Sequence, residues 1–263
     1  MDIFKVFKTY HKILFPLIIS QFISCNSYQY VSSPAFVPLN EEKGELKSYI
    51  SFNSLQAGYS LTQNVGIFSD INFRARSYPK SWIRFNFGSE TPKEGYHNVN
   101  DYNIGLMTFG KDGKFIYELL VAGGIGKMSF IDSNNTFSLK TDKSNLYIQP
   151  IIGYNHSDNR YYVSFALYSK IYYTHYTITL AKILDVDEYK LNPDYDNFIG
   201  KKDMSSLYFE PGLLFRAGLK HISFQVSFSP TISLKSNDPI KYRPLNMFFG
   251  VYLNFGLLRD TNN

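Results

Sequence analysis

The sequence predicts an all-β fold: an antiparallel up-and-down transmembrane β-barrel of about ten strands, preceded by a cleaved N-terminal signal. Three observations predict it. Apolar residues alternate at every second position through most of the chain, the connections between alternating segments are long and short by turns, and aromatic residues are abundant. Tyr supplies 22 and Phe 23 of the 263 residues, a balance that suits pleated surfaces and membrane-interface belts better than a helical bundle. A chain of this length needs no second domain to build one barrel.

The first residues read in three parts: a basic stretch ending at Lys12, an apolar run from Ile13 to Ile23 broken only by Pro16, Ser20 and Gln21, then Ser24-Cys25. This is the pattern of a secretory signal, and the run is too short for a spanning helix. Phe22-Ile23-Ser24-Cys25 resembles a bacterial lipobox, in which cleavage before the cysteine leaves its thiol to carry diacylglycerol. Ser24 and Ile23 fit that pattern, and Phe22 stands where Leu is usual. Residues 1–24 are therefore expected to be a lipoprotein signal peptide, 25–44 a lipidated periplasmic tether and 45–263 the barrel. Cys25 is the one cysteine of the chain, which excludes an intrachain disulfide and is accounted for by lipid attachment. The alternative is an ordinary signal cut elsewhere, with Cys25 incidental. The net charge of +5 falls by two when Lys5, Lys8, Lys12 and Asp2 leave with the signal. Nucleic acid is not an expected partner.

After the tether, the strands follow in order. The first seven run over about Leu46 to Phe52, Gln56 to Thr62, Val65 to Arg76, Tyr102 to Phe109, Phe115 to Lys127, Leu146 to Asn155 and Tyr161 to Tyr173. The last three alternate most cleanly. From Leu207 to Lys220 one face holds Phe209, Leu213 and Phe215 while the other holds Glu210, Arg216 and Lys220. From Ile222 to Ile232, Phe224, Val226 and Phe228 oppose Ser223, Gln225 and Ser227. From Leu245 to Leu257, Met247, Phe249 and Val251 oppose Asn246, Gly250 and Asn254. Many of these segments are longer than globular strands and match a tilted strand crossing a bilayer core. Period alone does not say which face points inward, so a soluble lipocalin-like binding barrel with an apolar interior is the competing picture. The length of the strands, the glycine- and charge-bearing polar face and the aromatic last strand oppose it.

Short turns are expected at Gln63-Asn64, Gly110 to Gly113, Ser157 to Asn159 and Lys220-His221, on the periplasmic side. Long connections are expected at Ser77 to Asp101, Met128 to Asn145, Thr174 to Ser206 and Leu234 to Pro244, with Asn53 to Leu55 the one brief connection on that side. Such an alternation is what outer-membrane barrels show. The loops 77–101 and 174–206, the second with an amphipathic turn around Leu180 to Leu184, are candidate surfaces for envelope protein partners.

Val37-Pro38-Leu39, Gly44-Glu45-Leu46, the run Gln56 to Ile67, Tyr147 to Tyr154 and Phe209-Glu210-Pro211-Gly212-Leu213 together resemble a family of bacterial outer-membrane β-barrel lipoproteins. The resemblance covers about the whole mature chain. It implies the fold, the lipid anchor and the location, and it brings no catalytic residues to carry over.

The candidate site is a polar network in the lumen: Asp70, Arg74, Arg76, Glu118, Lys170, Glu210 and Arg216, with Lys47 and Lys220. In a barrel this narrow, charges of both signs read as an ion-paired plug, and alternatively as a narrow pore. His221-Ile222-Ser223 resembles the His-x-Ser pairing of a lipid-hydrolysing barrel enzyme, since residues two apart share a strand face. His156-Ser157-Asp158 lies on a short turn and is a weaker triad. No cofactor is expected: CxxC, HExxH, EF-hand and P-loop patterns are missing from the sequence. The reading is a non-enzymatic outer-membrane lipoprotein, structural or accessory, with a transport barrel, a lipid-modifying enzyme and a soluble binding barrel as alternatives.

Overall fold

The computed structural model describes Tyr30 and residues 32–77, 96–131, 137–157, 160–184, 198–235, 240, 242 and 244–256, and the side chains of all of these except 74–77, 96 and 97. The signal and Cys25 lie outside the described residues. The strands are β1 (Leu46–Ser51), β2 (Ser54–Ser60), β3 (Val65–Ser77), β4 (Tyr96–Asp112), β5 (Phe115–Ile131), β6 (Phe137–Ser157), β7 (Tyr161–Ile183), β8 (Asp203–Leu219), β9 (Ile222–Pro230), β10 (Ile232–Ser233) and β11 (Leu245–Asn254).

Every pairing is antiparallel, and neighbours in sequence are neighbours in the sheet. The ring closes where β11 pairs with β1, Lys47 opposite Asn254 and Ser51 opposite Gly250. The two-residue β10 is not an eleventh stave. It keeps the register that β9 holds against β8, with Leu213 opposite Phe228 below the interruption and Phe209 opposite Ile232 above it. Pro211 sits at that interruption without an N–H to give, which breaks the ladder, and Ser229 Oγ donates to the Pro211 carbonyl at 3.0 Å. The barrel therefore has ten staves, as expected. Followed once round the ring, the register returns to β1 displaced by about 12 residues, and with strands about 4.8 Å apart that stagger tilts them by about 40°.

The alternation sorts the two faces. On β5 the burial pattern runs exposed, buried, exposed from Phe115 onward, with Tyr117, Leu119 and Val121 outside and Ile116, Glu118 and Leu120 inside. Outward positions on other strands carry Ile67, Ile104, Ile152, Leu167 and Phe215, all exposed. The apolar face of most strands is thus the outer one, the reverse of a soluble binding barrel.

All ten predicted strands are present, and five run further than the alternation suggested. β4 begins at Tyr96, β5 ends at Ile131, β6 begins at Phe137, β7 ends at Ile183 and β8 begins at Asp203. Beyond the apolar band both faces turn mixed or polar, so the period fades while the ladder continues. The expected loops shrink accordingly: 96–101, 174–183 and 203–206 are strand, and the expected turn at Leu180 to Leu184 is the end of β7. A bulge helps it there. The register shifts between Lys140 and Thr141, and Thr179 Oγ1 donates to the Lys140 carbonyl at 3.1 Å. The wall is uneven, because β1 and β2 have 6 and 7 residues and β6 and β7 have 21 and 23.

The largest departure concerns the expected tether. Residues 32–40 lie inside the barrel, with Ala35, Phe36, Val37, Leu39 and Asn40 at most 3% exposed. The chain then turns into β1 through Glu42, Lys43 and Gly44, the last with a φ of 84°, a left-handed conformation that favours glycine, and Gly44 N donates to the Ser60 carbonyl at 2.8 Å as β1 begins. Room for this internal segment is made on the wall. A Cβ at Gly153 would stand 2.3 Å from Leu39 Cδ2. Gly153→Leu should therefore cost about 1–3 kcal/mol in a urea titration of the barrel in micelles, as overpacking does, while Ile152→Leu on the outer face leaves the midpoint within error.

Candidate functional site

The inward face of each strand takes polar residues, and the narrow ring buries them. Lys47, Asp70, Glu118, Lys170, Glu210 and Arg216 are all at most 4% exposed. Such charges persist only when paired and hydrogen-bonded. Asp70 accepts from Asn72 Nδ2 and Asn103 Nδ2, each at 2.7 Å, and from the Tyr147 hydroxyl at 2.8 Å. Lys143 Nζ meets Asp101 Oδ1 at 2.8 Å. Lys170 Nζ lies 3.9 Å from Glu210 Oε2 and 4.7 Å from the ring centres of both Tyr147 and Tyr172. Arg216 gives Nη2 to Gln225 Oε1 at 2.6 Å, and its guanidinium stacks 3.4 Å from the centre of the Tyr252 ring.

The internal segment completes these networks along its whole length. At its N-terminal end Tyr30 stacks on Tyr208 with centroids 4.1 Å apart and bridges to Tyr242, which stands in the connection between β10 and β11. The Tyr30 hydroxyl and Ser32 Oγ each donate 2.8 Å bonds to the two oxygens of Glu210. Gln56 Nε2 donates to the Pro34 carbonyl at 2.7 Å, Gln149 Nε2 to that of Phe36 at 2.6 Å, Arg216 Nη2 to that of Val37 at 2.7 Å and the Tyr252 hydroxyl to that of Pro38 at 2.6 Å. Leu39 adopts φ 53°, a left-handed conformation unusual for a side chain of its size. It is held there from three sides: Leu39 N and Asn40 N donate to Glu118 at 3.0 and 2.6 Å, and Lys47 Nζ donates to the Leu39 carbonyl. At the short-turn rim Glu41 pairs with Lys111 and accepts from Asn155 Nδ2 at 2.8 Å.

Of the residues expected in the lumen, Asp70, Glu118, Lys170, Glu210, Arg216 and Lys47 are there. Lys220 sits half-buried in the turn between β8 and β9. Arg74 and Arg76 share the strand parity of Asp70 on β3, opposite Val99 and His97, and their side chains lie outside the described residues. Asn103 lies on the inner parity of the predicted fourth strand, and Asp101, Lys143 and Asn145 were legible as continuations of the polar parity of β4 and β6, had the alternation been followed past the apolar band. The contribution of 32–40 carried no such signal, because a segment without strand period gives no direction.

His221 and Ser223 are not hydrogen-bonded to each other among the described residues. His221 Nδ1 lies 3.1 Å from the Asn254 carbonyl oxygen, and Ser223 is buried on the inner face. His156 Nδ1 lies 3.2 Å from Lys114 Nζ, and Asp158 is outside the described residues. No group of His, Cys, Asp and Glu suited to a metal ion occurs among the described residues. No protein-family model and no curated protein matches the chain.

The arrangement can hold an extended peptide by its main chain inside a polar ring. Two outcomes follow from the contacts. Glu118→Gln, which keeps one acceptor for two main-chain N–H groups, should lower stability by about 1–3 kcal/mol in a urea titration. Burial alone would raise the Glu41 carboxyl, but hydrogen bonds from Lys111 and Asn155 outweigh it and hold the group below its ordinary range. Its contribution is thus present above about pH 4 and is lost as pH falls through the lowered value. Proteolysis at the exposed Glu42-Lys43 turn should quicken below that range in the wild type and change less in Glu41→Gln.

Proposed function

We propose that the protein is a non-enzymatic outer-membrane barrel lipoprotein, a structural or accessory component of the envelope, anchored by lipid on Cys25 as well as by its strands. The observation that carries this reading is a wall apolar on the outside around a lumen filled by the protein's own chain. A band of outward apolar residues is what hydrocarbon requires, and a closed ring satisfies every strand edge within it. Aromatic side chains mark the limits of the band as interface belts do. Tyr59, Phe115, Tyr117 and Tyr161 are exposed toward the short-turn rim, and Phe73, Tyr102 and Tyr173 toward the other. Phe115 packs edge-on against Tyr154 with centroids 5.6 Å apart.

The filled lumen favours an accessory role over a conducting one, since residues 32–40 occupy the path that a pore would need. The polar interior likewise speaks against a lipocalin-like carrier of apolar ligands. Envelope partners would be met through the candidate surfaces 77–101 and 174–206, since the described strand ends that flank them, Ser77 and Tyr96, Ile183 and Asp203, stand on the rim opposite the short turns.

Three measurements test the reading together. Metabolic palmitate should label the wild type and not Cys25→Ala, while both remain in the membrane fraction because the strands hold them there. Both should migrate faster unheated than boiled on gels, as folded barrels do. Planar bilayers containing the wild type should show no steady conductance. A soluble, unlabelled, heat-insensitive protein would sink the proposal, and steady channels from the wild type would replace it with a transport barrel.

A further inference from the structure

Seven main-chain atoms between Pro34 and Asn40 are gripped by side chains of the wall: the carbonyls of Pro34, Phe36, Val37, Pro38 and Leu39, and the N–H groups of Leu39 and Asn40. The donors and the acceptor come from β1, β2, β5, β6, β8 and β11, so the grip surrounds the segment. Backbone atoms are common to every peptide. What this ring recognises is an extended main chain more than a particular sequence. Two side chains of the gripped stretch fill room that glycines of the wall leave. Phe36 packs on Phe68 with centroids 5.7 Å apart and against Gly58, where a Cβ would stand 2.8 Å from its ring. Leu39 fills the space that Gly153 leaves open. The stretch Ser32 to Asn40 carries no charge, so Lys47, Glu118 and Arg216 meet it through its peptide dipoles.

Comparable main-chain capture, with pockets for alternate side chains, is how domains that bind extended peptides obtain affinity and selectivity. We propose that the lumen is a binding groove for an extended, uncharged, proline-containing peptide segment. Residues 32–40 are its resident ligand in cis, and a peptide of the same pattern takes their place in trans when they leave. The segment ends at the rim in an exposed turn, Glu42 and Lys43, held by the Glu41 contacts to Lys111 and Asn155. Cutting at that turn frees the C-terminal end of the segment, which can then leave toward the opposite rim, where Tyr30 stands beside Tyr242.

The test starts from the full folded chain carrying a site for a sequence-specific protease inserted between Glu42 and Lys43. After cutting, the resident segment is held by non-covalent contacts alone. A fluorescent synthetic peptide of residues 30–44 should then bind saturably, be competed by the unlabelled peptide, and fail to bind the uncut barrel. N-methylation at Leu39 and Asn40 removes the two N–H groups that Glu118 accepts and should weaken binding at least tenfold. No exchange after cutting, or equal uptake of the N-methylated peptide, overturns the proposal. A second measurement uses the unaltered chain: amide hydrogen exchange at Leu39 and Asn40 should be at least tenfold faster than at Ile151 in β6, because the segment detaches from its wall contacts while the wall stays closed. Equal exchange at the three amides would mean that the segment detaches only when the barrel unfolds, which likewise overturns it.

Discussion

Glu118 accepts the main-chain N–H groups of Leu39 and Asn40 from within a ring that excludes water, and the architecture around it follows from that bond pair. A carboxylate on the inner face of β5 needs donors, and the internal segment brings them. The segment needs acceptors and donors in turn, and the wall brings those through Gln56, Gln149, Arg216, Tyr252 and Lys47. Removing either side leaves buried polar groups on the other without partners, a costlier state than never having placed them there. The inner face and the segment are therefore two halves of one polar core, and neither is complete alone.

This core also bears on how the ring shuts. Lys47 lies on β1 and Tyr252 on β11, the two strands whose pairing closes the barrel, and both bind the segment at adjacent residues, Leu39 and Pro38. Arg216, stacked on Tyr252, extends the same group to β8. The seam is thus bridged from inside, as well as by the ladder from Lys47–Asn254 to Ser51–Gly250. Since β1 and β2 are the shortest staves, the inner bridge stands where the wall has the fewest main-chain bonds of its own.

How far the fold was legible depended on whether one face of a strand was apolar. Where Phe209, Leu213 and Phe215 alternate with Glu210 and Arg216, the period gave the strand, its facing and its lumen charges together. Where β6 continues as Thr141, Lys143 and Asn145 opposite Asp142 and Ser144, both faces are polar, so nothing in the composition distinguishes strand from loop and the long connections were overestimated. The six lumen charges whose side chains are described could be read from parity. Their partners could not, because Ser32 to Asn40 has neither strand period nor charge, and a segment that packs as irregular chain announces its position only through the groups that surround it. Buried charges that outnumber their ion-pair partners on the wall were the available hint that something else must satisfy them.

The internal segment has a direction. It enters at the short-turn rim beside Gly44 and reaches Tyr30 next to Tyr208 and Tyr242, toward the rim of the long connections. A chain passing through a closed hydrogen-bonded ring is threaded, like a cord through a bead. Any group wider than the lumen that is joined to the chain ahead of Tyr30 can neither follow it in nor be pulled back once β1 has paired with β11. The moment of closure thereby fixes the side of the barrel on which such a group remains, and no later rearrangement short of reopening the seam can change it.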